Sequence, residues 1–464
     1  MAVLHKEYYK GAGNGQKNIR VNQDIRAYIE NHPDGDFSHV LAEDDRWQVF
    51  YHLSDMRTSI LNWYEWKEDA SILEVGGEFG ALTGLLCEHA AHVTTVEYGL
   101  FKAEAICRRY EDRHNLDIYA GNILDIEFEE EFDYIVMVGC LERQCGGSKS
   151  SKEYSEYLKK IVTLLKPNGR LLAAVDNRYG LRYFCGEVET YTGKPFAGIK
   201  HYPQAAKGYT FSRQELLNIM KEAGFKNVKF YYPLPDYKLA QMIYSDNYLP
   251  QKDLGERLLF YHRNQSTLLV PEQQLYSDLI DNQVFPFFAN SFLTESSLDG
   301  ESSSVLFAAV TTDRGKKHGL STCVHEISRK GEKKEGWIVK KRALYRDGQP
   351  SIESVYNNMM ELEKRGIPVV PHKIEGDAVV MPFIPDITCS DYLRKLVSVG
   401  DRETFEAIFE MLYKNILKSS EIVLDGENKL PEAKEILVEY GPILKQCYVD
   451  MVPFNCFYIN GQLF

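Results

Sequence analysis

Apolar residues between positions 46 and 298 recur with two alternating periods. Short apolar runs predict buried strands, and segments with apolar residues every three or four positions predict helices. The predicted strands cover 71–75, 92–96, 116–119, 132–138 and 170–175, and helices are predicted at 81–89, 101–113 and 154–165. Strands that alternate with helices are typical of a doubly wound parallel sheet, so this region is predicted to have an α/β fold.

The chain on either side of this region has a different pattern. Residues 1–45 are polar and contain several glycines, which favours loops and a short helix. Gly300 and the serines at 302–304 indicate a linker, and a strand-rich α+β pattern follows. The sequence therefore predicts an N-terminal extension at 1–45, an α/β domain at 46–298 and a further domain at 299–464.

Composition limits the class of protein. The chain has 464 residues, of which 44% are hydrophobic and 26% charged, as in soluble globular proteins. We expect a cytoplasmic protein with free thiols, because the sequence shows no membrane-spanning run, no signal peptide and no paired CxxC spacing among its nine cysteines. The net charge of −13 argues against general nucleic-acid binding.

A glycine-rich turn follows the first predicted strand. Gly76, Gly77 and Gly80 come directly after the strand, and a predicted helix follows them. Glycines let the backbone approach a ligand closely, and the N-terminus of a helix offers free N–H groups. Ligands of such sheets bind at the carboxyl ends of the strands, so this turn is the predicted binding site.

Polar residues at the ends of the first three strands narrow the class of ligand. Glu74 lies at the end of the first strand, Glu97 at the end of the second and Asn122 after the third. The Glu74 carboxylate would contact the amino group of a methionine moiety and repel a pyrophosphate. Glu97 would accept hydrogen bonds from two ribose hydroxyls, and Asn122 either reads an adenine edge or is a turn residue. Upstream, Arg57 either pairs with a ligand carboxylate or is a surface arginine.

These features together resemble a known family. Residues 71–80 (SILEVGGEFG), Glu97, Gly121–Asn122 and 164–175 (LLKPNGRLLAAV) look like the motifs of class I S-adenosylmethionine-dependent methyltransferases. The resemblance covers residues 46–240 and implies a Rossmann-like sheet with S-adenosylmethionine as cofactor. The implied cofactor site consists of Arg57, Glu74, Gly76, Gly77, Gly80, Glu97, Asn122 and Cys140. The family often has a third glycine where this chain has Glu78, so we expect the loop to sit differently over the cofactor.

The ends of the fourth and fifth strands predict the acceptor side. Glu142 follows the fourth strand, and Asp176 follows the fifth. The loop at 186–209 is rich in Tyr, Lys and Gly, a composition that suits a substrate lid. His201 in this loop is either a general base or a surface histidine. Glu142, Asp176 and His201 are therefore the candidate catalytic residues.

The region at 299–464 resembles protein kinases and aminoglycoside-type phosphotransferases. Asp450 and Asn455 match the catalytic loop of those enzymes, in which the Asp orients a hydroxyl and the Asn holds a metal. Lys340 matches the phosphate-binding lysine, with Glu361, or alternatively Glu353, as its helix partner. The resemblance implies ATP and magnesium as ligands. A glycine-rich loop of the usual form and the metal-binding Asp expected after Asn455 are missing from the sequence. We therefore expect an incomplete kinase-like domain at 299–464 and no efficient phosphate transfer by this chain. The alternative is an interaction domain of mixed class.

A methyltransferase joined to a kinase-like domain resembles bacterial proteins that modify or terminate surface polysaccharides. The implied reaction is methyl transfer to a small-molecule, glycan or glycan-phosphate acceptor. Two alternatives come from other classes: a non-catalytic cofactor-binding scaffold and an NAD-dependent oxidoreductase. The sequence leaves the oligomeric state open.

Overall fold

A computed structural model describes residues 1–11, 19–261, 265–312, 314–327, 336–423 and 442–464. The chain divides into two compact units, Met1–Gly315 and Lys316–Phe464. Among the described residues, the longest helices are too short or too polar to cross a membrane.

The first unit is built on one mixed sheet. Its strands are β1 (Val3–His5), β2 (Ser71–Val75), β3 (His92–Glu97), β4 (Leu116–Ala120), β5 (Phe132–Val138), β6 (Leu165–Asp176), β7 (Asn227–Leu234), β8 (Met242–Ser245), β9 (Ser291–Ser297) and β10 (Val305–Val310). Their order is β1-β4-β3-β2-β5-β6-β9-β7-β8-β10. Pairing is parallel from β1 to β6 and antiparallel from β6 to β10. The predicted parallel α/β sheet is confirmed, with an antiparallel extension that begins at β9.

Helices cover this sheet. They are α1 (Arg20–Asn31), α2 (Ser38–Glu43), α3 (Trp47–Leu53), α4 (Thr83–His89), α5 (Leu100–Arg109), α6 (Ser151–Val162), α7 (Leu181–Phe184), α8 (Arg213–Ala223), α9 (Leu254–Arg257), α10 (Tyr276–Asp281) and α11 (Phe285–Phe288). Side chains alternate along β2, so Leu73 and Val75 enter the main hydrophobic core while Glu74 lies on the opposite face. Glu74 therefore faces α4, whose first residue is Thr83.

The N-terminal extension is more ordered than its polar composition suggests. Strand β1 pairs in parallel with β4. Helix α1, 12 residues long, buries Ile25 and Ile29 in a core that also contains Phe79 of the glycine-rich loop. The apolar stripe of α1 explains this packing, because it can be buried only against the rest of the unit. The described residues of this segment, 1–11 and 19–45, thus form an integral part of the first unit.

The first unit also extends past the linker that the sequence predicts at Gly300. Strand β10, expected to open the C-terminal domain, pairs with β8 of the first unit. The turn before it is anchored by Lys229, whose Nζ donates to the carbonyls of Ser303 (2.7 Å) and Val305 (2.6 Å). The buried Glu295 accepts the backbone N–H of Ser303 over 2.8 Å. The serine cluster is therefore a pinned turn, and the compact units divide at Gly315 instead of residue 298.

The second unit begins with an antiparallel sheet. Its strands are β11 (Leu320–Ile327), β12 (Gly336–Ala343), β13 (Lys373–Glu375) and β14 (Ala378–Pro382), in the order β11-β12-β14-β13. The remaining elements are α12 (Gly315–His318, across the boundary between the units), α13 (Gln349–Lys364), α14 (Cys389–Val399), α15 (Arg402–Lys418), β15 (Tyr458–Ile459) and β16 (Gln462–Leu463). Helix α13 packs on β12 and β14, and α14 and α15 share a small core.

Candidate functional site

The glycine-rich loop after β2 packs tightly against two neighbouring strands. Gly76 has a φ of 79°, in the left-handed region that glycine adopts without strain. A Cβ on Gly76 would lie 2.9 Å from the Cβ of Cys140, and one on Gly77 would lie 2.5 Å from the Cγ2 of Thr95. Cys140 is buried and donates its thiol hydrogen to the Val75 carbonyl. Cys140 thus contacts the loop at the position where the sequence predicts the cofactor.

Glu74 is held beneath this loop by two hydroxyl groups. Its Oε2 accepts hydrogen bonds from the Oγ1 of Thr83 (2.6 Å) and the Oγ1 of Thr95 (2.8 Å). Burial raises the pKa of Glu74, because the ionised form loses its hydration. In this arrangement Glu74 joins β2, β3 and α4 at the base of the loop.

A pocket opens beside the loop. It is lined by Tyr51, His52, Arg57, Glu74, Val75, Gly76, Gly77, Glu78, Ala81, Leu82, Val136 and Val138. Four of the predicted cofactor residues, Arg57, Glu74, Gly76 and Gly77, therefore share one cavity. Gly80, in the same loop, has a φ of 79° and packs against Tyr110.

Glu97 lies at the end of β3, next to the same loop. Its Oε2 accepts the backbone N–H of Glu78 and its Oε1 accepts that of Gly99, each over 3.0 Å. Burial, reinforced by the nearby charge of Glu78, raises the pKa of Glu97. Each oxygen has a second lone pair, so the carboxylate retains the capacity to accept hydrogen bonds from a ligand.

Glu78, the residue that replaces a family glycine, has a φ of 54°, so it keeps the left-handed backbone that glycine would supply. Its carboxylate forms ion pairs with Lys102 of α5 and with Arg143, which follows β5. Despite the cost of burial, these cations hold the pKa of Glu78 well below its usual range. Glu78 thereby connects the loop to α5 and to the segment that follows β5.

Arg57 is buried and connects the pocket to the segment that follows β7. Its Nη1 donates to the carbonyls of Tyr237 (3.2 Å) and Lys238 (2.7 Å), and its Nη2 donates to the Tyr51 hydroxyl (3.1 Å). Its Nε is buried and has no hydrogen-bond partner among the described residues. Arg57 is therefore not a surface arginine, and its free Nε is the group available to an anionic ligand atom.

Asn122 is exposed and caps a short 3-10 turn (Ile123–Asp125). Its Oδ1 accepts the backbone N–H of Leu124 over 3.1 Å. The adjacent Gly121 lies against the Tyr8 carbonyl. Of the two predicted roles of Asn122, the structure shows the one of a turn residue. Contact of Asn122 with an adenine stays a prediction.

A network of buried charges occupies the ends of β6 and β7. Asp176 accepts hydrogen bonds from Arg182 (2.5 Å), Lys238 (2.6 Å) and the Thr190 hydroxyl (2.8 Å). Arg182 also pairs with Asp236. We call Asp176, Arg182, Asp236 and Lys238 the charge cluster. Its two carboxylates and two cations balance one another.

Glu142, after β5, lies beside the charge cluster. Its Oε1 accepts the backbone N–H of Asp176 over 3.0 Å. Its Oε2 is buried and has no hydrogen-bond partner among the described residues. Burial and the neighbouring Asp176 charge raise the pKa of Glu142 to about 7. The structure thus brings together Glu142 and Asp176, and it leaves Glu142 with an unsatisfied oxygen suited to proton transfer.

His201 lies elsewhere on the predicted lid. It is exposed, and its Nδ1 is 3.3 Å from the Nη1 of Arg178, which pairs with Glu215. The loop is itself well packed, because the buried Glu189 accepts hydrogen bonds from residues 191, 192 and 202. Among the described residues, the His201 side chain contacts Arg178 and makes no hydrogen bond or ion pair with Glu142 or Asp176.

Two charged residues of this site, Asp236 and Lys238, were missed by sequence reasoning. Arg182, Asp236 and Lys238 are buried and paired with one another or with Asp176. Asp236 and Lys238 follow β7 at a strand end, so the rule that selected Glu97 and Asp176 could also have selected them. Among the described residues, no group of His, Cys, Asp or Glu side chains is arranged to hold a metal ion.

The second unit contains the residues that the sequence matches to protein kinases. Lys340 lies in β12, opposite Cys323 of β11 and Val380 of β14. Glu361 of α13 pairs with Arg365 over 3.1 Å. The Asn455 side chain donates to the Asp450 carbonyl over 3.1 Å.

Comparison with known proteins identifies the central region. Residues 47–229 match the model of a family described as a methyltransferase domain. This match supports the methyltransferase domain that the motifs after β2 predicted.

Two curated relatives match parts of the chain. A demethylmenaquinone methyltransferase of Staphylococcus saprophyticus is 26% identical over 152 residues, which are 30% of this chain and 62% of the relative. A ribosomal RNA small subunit methyltransferase A of Syntrophus aciditrophicus is 35% identical over 81 residues, which are 18% of this chain and 29% of the relative. The chain thus spans less than two thirds of the length of either relative.

Solved structures with similarity to the chain include two N-methyltransferases. NodS of Bradyrhizobium japonicum, in complex with S-adenosylhomocysteine, has 20% identity and a TM-score of 0.25, covering 33% of this chain and 74% of NodS. A Haemonchus contortus phosphoethanolamine N-methyltransferase has 14% identity and a TM-score of 0.34, covering 61% of this chain and 51% of that enzyme.

Proposed function

We propose that the first unit is an enzyme that binds S-adenosylmethionine beside the glycine-rich loop and transfers its methyl group to a small acceptor. The observation that carries this proposal is the single pocket that Arg57, Glu74, Gly76 and Gly77 line, at the strand ends of a methyltransferase domain. Gly76 and Gly77 let the loop pack closely on Cys140 and Thr95, which fixes the backbone at the edge of this pocket.

The residues of the pocket have distinct roles in this proposal. The buried, unpartnered Nε of Arg57 would donate to the carboxylate of the methionine moiety. Glu97 would accept hydrogen bonds from the ribose hydroxyls through its remaining lone pairs. Glu74, already bonded to two threonines, would act mainly by fixing the loop.

The cofactor, when bound, supplies an activated methyl group on a sulfonium. The protein then has to hold an acceptor in line with that methyl group and remove a proton where the acceptor carries one. Glu142 and Asp176 lie at the neighbouring strand ends and are the proposed residues for this step, with Glu142 as the base. His201 remains a candidate only if the lid brings it toward these residues.

The two alternative functions are less well supported. An NAD pyrophosphate would lie near the carboxyl groups of Glu74 and Glu97, which repel its charge when they are ionised. A non-catalytic scaffold would not require a buried carboxylate with a free oxygen beside the acceptor side of the sheet.

Isothermal titration calorimetry with S-adenosylmethionine, S-adenosylhomocysteine and NAD tests the proposal directly. We expect both sulfur ligands to bind the purified chain and NAD to bind far more weakly. Tighter binding of NAD than of S-adenosylmethionine would contradict it. Binding without methyl transfer to any of a broad acceptor collection would favour the scaffold.

For the whole protein, we propose a glycan, glycan phosphate or related small molecule as acceptor, with a kinase-like second unit that binds ATP and magnesium. The kinase-like assignment of the second unit is supported by the position of Lys340 in strand β12 and by the packing of α13 on that strand. We expect an ATP analogue to bind the chain in the presence of magnesium and Lys340→Ala to weaken that binding. Equal affinity in fluorescence titrations of both proteins would contradict the kinase-like assignment.

A further inference from the structure

We infer that the acceptor is an amine, bound as its ammonium ion against Glu142, so that the reaction is an N-methylation. This inference rests on the proposed function and deepens it by naming the chemical class of the acceptor. It is drawn from the buried charges at the ends of β5, β6 and β7.

The first observation is the unsatisfied oxygen of Glu142. Its Oε1 accepts the N–H of Asp176, and its Oε2 is buried without a partner among the described residues. The ion pairs of the described residues also leave Glu142 without a lysine, arginine or histidine partner of its own. Burying an acceptor without a donor is costly, and the cost is greater for a carboxylate. A ligand that brings a positively charged donor would relieve it.

The second observation is that the neighbouring charges are already balanced. In the charge cluster, Asp176 and Asp236 are paired with Arg182 and Lys238. An ionised Glu142 therefore adds one negative charge to a neutral group. A cationic ligand would neutralise this charge, whereas a neutral hydroxyl compound would not and an anionic one would be repelled.

The third observation is that this part of the protein already accommodates an ammonium group. The Nζ of Lys238 lies 2.6 Å from the Oδ1 of Asp176 and 4.1 Å from the centre of the Tyr237 ring. A carboxylate and an aromatic face are the two groups that recognise organic ammonium ions in proteins. The Lys238 ammonium is thus bound by a carboxylate and an aromatic ring. We assign the same kind of ammonium binding to Glu142 and the tyrosines around it.

The site lies next to the proposed cofactor pocket. A Cβ on Gly139 would be 2.6 Å from the Tyr237 hydroxyl oxygen, so this tyrosine reaches the end of β5. The next residue, Cys140, packs on Gly76 of the glycine-rich loop. Glu142 follows two residues later. An acceptor nitrogen at Glu142 would therefore lie near the glycine-rich loop, at the carboxyl end of β5.

The acid–base chemistry supports an amine over an alcohol. Glu142, with a pKa of about 7, is partly ionised at neutral pH, and the ionised form can accept a proton. An alkylammonium ion has a pKa of about 10.4, as a lysine side chain does, whereas an aliphatic alcohol is a far weaker acid. A carboxylate base is thus better matched to an ammonium ion than to an alcohol.

In the proposed step, the ammonium nitrogen gives a proton to Oε2 of Glu142, and its lone pair is released. The neutral nitrogen then forms a bond to the methyl carbon as the carbon–sulfur bond breaks. The electron pair of that bond stays on sulfur, so the sulfonium becomes a neutral thioether. The product is a methylated ammonium ion, and Glu142 returns its proton to water after product release. Atoms and charge balance without an oxidant or metal.

Several titratable groups face Glu142 and would influence its proton affinity. They are Asp176 of β6, Lys238 after β7, Cys140 after β5, Tyr154 of α6, Tyr191 of the 186–209 loop and Tyr237 after β7. Among the groups that shift its pKa, Asp176 opposes ionisation and Lys238 favours it. The variant that tests the proposal should therefore change Glu142 alone.

The experiment measures binding of ethylamine and ethanol, two probes that differ only in the ammonium group, to the full chain with S-adenosylhomocysteine present. Ligand-observed NMR titrations at pH 7.5 would compare the wild type, Glu142→Gln, Glu142→Asp and Glu295→Gln. Glu295 is a buried carboxylate near Arg170, so it controls for loss of a buried charge elsewhere. A separate calorimetric titration of S-adenosylhomocysteine reports whether the proposed cofactor site exists.

We expect the wild type to bind ethylamine at least about tenfold more tightly than ethanol, since a hydrogen bond to a charged group is of that strength. Glu142→Gln should lose this preference, and Glu142→Asp and Glu295→Gln should retain it in large part. Equal affinity for both probes in the wild type, or an unchanged preference in folded Glu142→Gln, would overturn the inference. Absence of S-adenosylhomocysteine binding would instead contradict the proposed function, whatever the result with ethylamine.

Turnover provides the second readout. Transfer of labelled methyl groups would be compared for ethylamine with ethanol and for glucosamine with glucose. Methylation of the amines alone, lost in Glu142→Gln, is the expected result. Methylation of hydroxyl groups, with the amine of glucosamine unmodified, would overturn the assignment of an amine acceptor.

Discussion

The backbone N–H of Glu78 donates a hydrogen bond to the Oε2 of Glu97 over 3.0 Å, so the glycine-rich loop after β2 is tied to the end of β3. The two residues are 19 positions apart in the chain. The loop therefore takes its position from the same carboxylate that we propose binds the ribose. Loss of Glu97 should act on the cofactor site in two ways, through the ligand and through the loop.

Replacement of Glu97 by alanine should weaken S-adenosylmethionine binding by at least about tenfold, because hydrogen bonds to a charged group contribute about 1.5–3 kcal/mol each. Glu97→Gln keeps one acceptor oxygen and should lose less. Calorimetry would measure both, with the exposed Glu88→Ala as control. A Glu97→Ala protein with the dissociation constant of the wild type would show that Glu97 has no part in binding.

Glu78→Gly should lower the free energy of unfolding by about 2 kcal/mol, although glycine suits the left-handed backbone better. Relief of that conformation contributes about 1–2 kcal/mol, whereas breaking a buried ion pair costs about 3–5 kcal/mol. Two cations lose this partner: Lys102, whose side chain is only 7% exposed, and Arg143, which is 40% exposed and therefore better hydrated.

The matched test is the double variant Glu78→Gly/Lys102→Met, which removes both charges. Urea denaturation should show the double variant to be more stable than Glu78→Gly alone. A double variant with equal or lower stability would mean that the Lys102 charge is not what destabilises the single variant.

The stability of Glu142→Gln relative to the wild type should depend on pH. Burial raises the Glu142 pKa from 4.5 to about 7 in the folded protein, so folding favours the protonated carboxyl. That contribution is fully present below pH 4.5 and is lost as the pH rises through 7.

Glutamine has no such titration, so the variant should gain on the wild type between pH 4.5 and 7 by up to about 3 kcal/mol, at 1.36 kcal/mol per pKa unit. Above pH 8 the difference should be constant. Urea denaturation of both proteins at pH 5, 6, 7 and 8 would measure it. A difference in stability that is the same at all four values would contradict the raised pKa.

Arg57→Lys should destabilise the first unit and weaken cofactor binding together. A lysine ammonium cannot donate simultaneously to the Tyr237 and Lys238 carbonyls and the Tyr51 hydroxyl from the positions of the guanidinium nitrogens. We expect a loss of about 2 kcal/mol in unfolding free energy, since buried acceptors lose their donors. Thermal unfolding and calorimetry would be compared with Arg113→Lys, whose partner Glu88 is at the surface. Unchanged stability of Arg57→Lys would show that these carbonyls have other donors.

The sequence was most informative where one short segment determines the structure. Strand β2 and its glycine-rich loop could be predicted because apolar run, glycines and helix follow one another within residues 71–89. Glu74, Gly76 and Gly77, which the sequence predicts as cofactor residues, line the same pocket. Asp176 could be predicted as a site residue by the same reasoning, because it lies at the end of β6.

The remaining parts of the site depend on contacts between distant segments. Asp176 meets Lys238 across 62 positions and Arg182 meets Asp236 across 54, separations at which no local pattern indicates a partner. Glu78 departs from the family pattern in the sequence, but its partners Lys102 and Arg143 come from helix α5 and from the segment after β5. Similarly, Val305–Val310 has the pattern of any strand, and only pairing with β8 assigns it to the first unit.

The pinned turn before β10 decides where the chain can be divided. A protein ended at residue 298, where the sequence suggests a linker, would leave the edge of β8 unpaired and remove both carbonyls that bind the Lys229 ammonium. An unpaired strand edge is a site for association with other chains. A shortened protein meant for crystallisation with cofactor should therefore run through residue 315, and the shorter version is expected to aggregate.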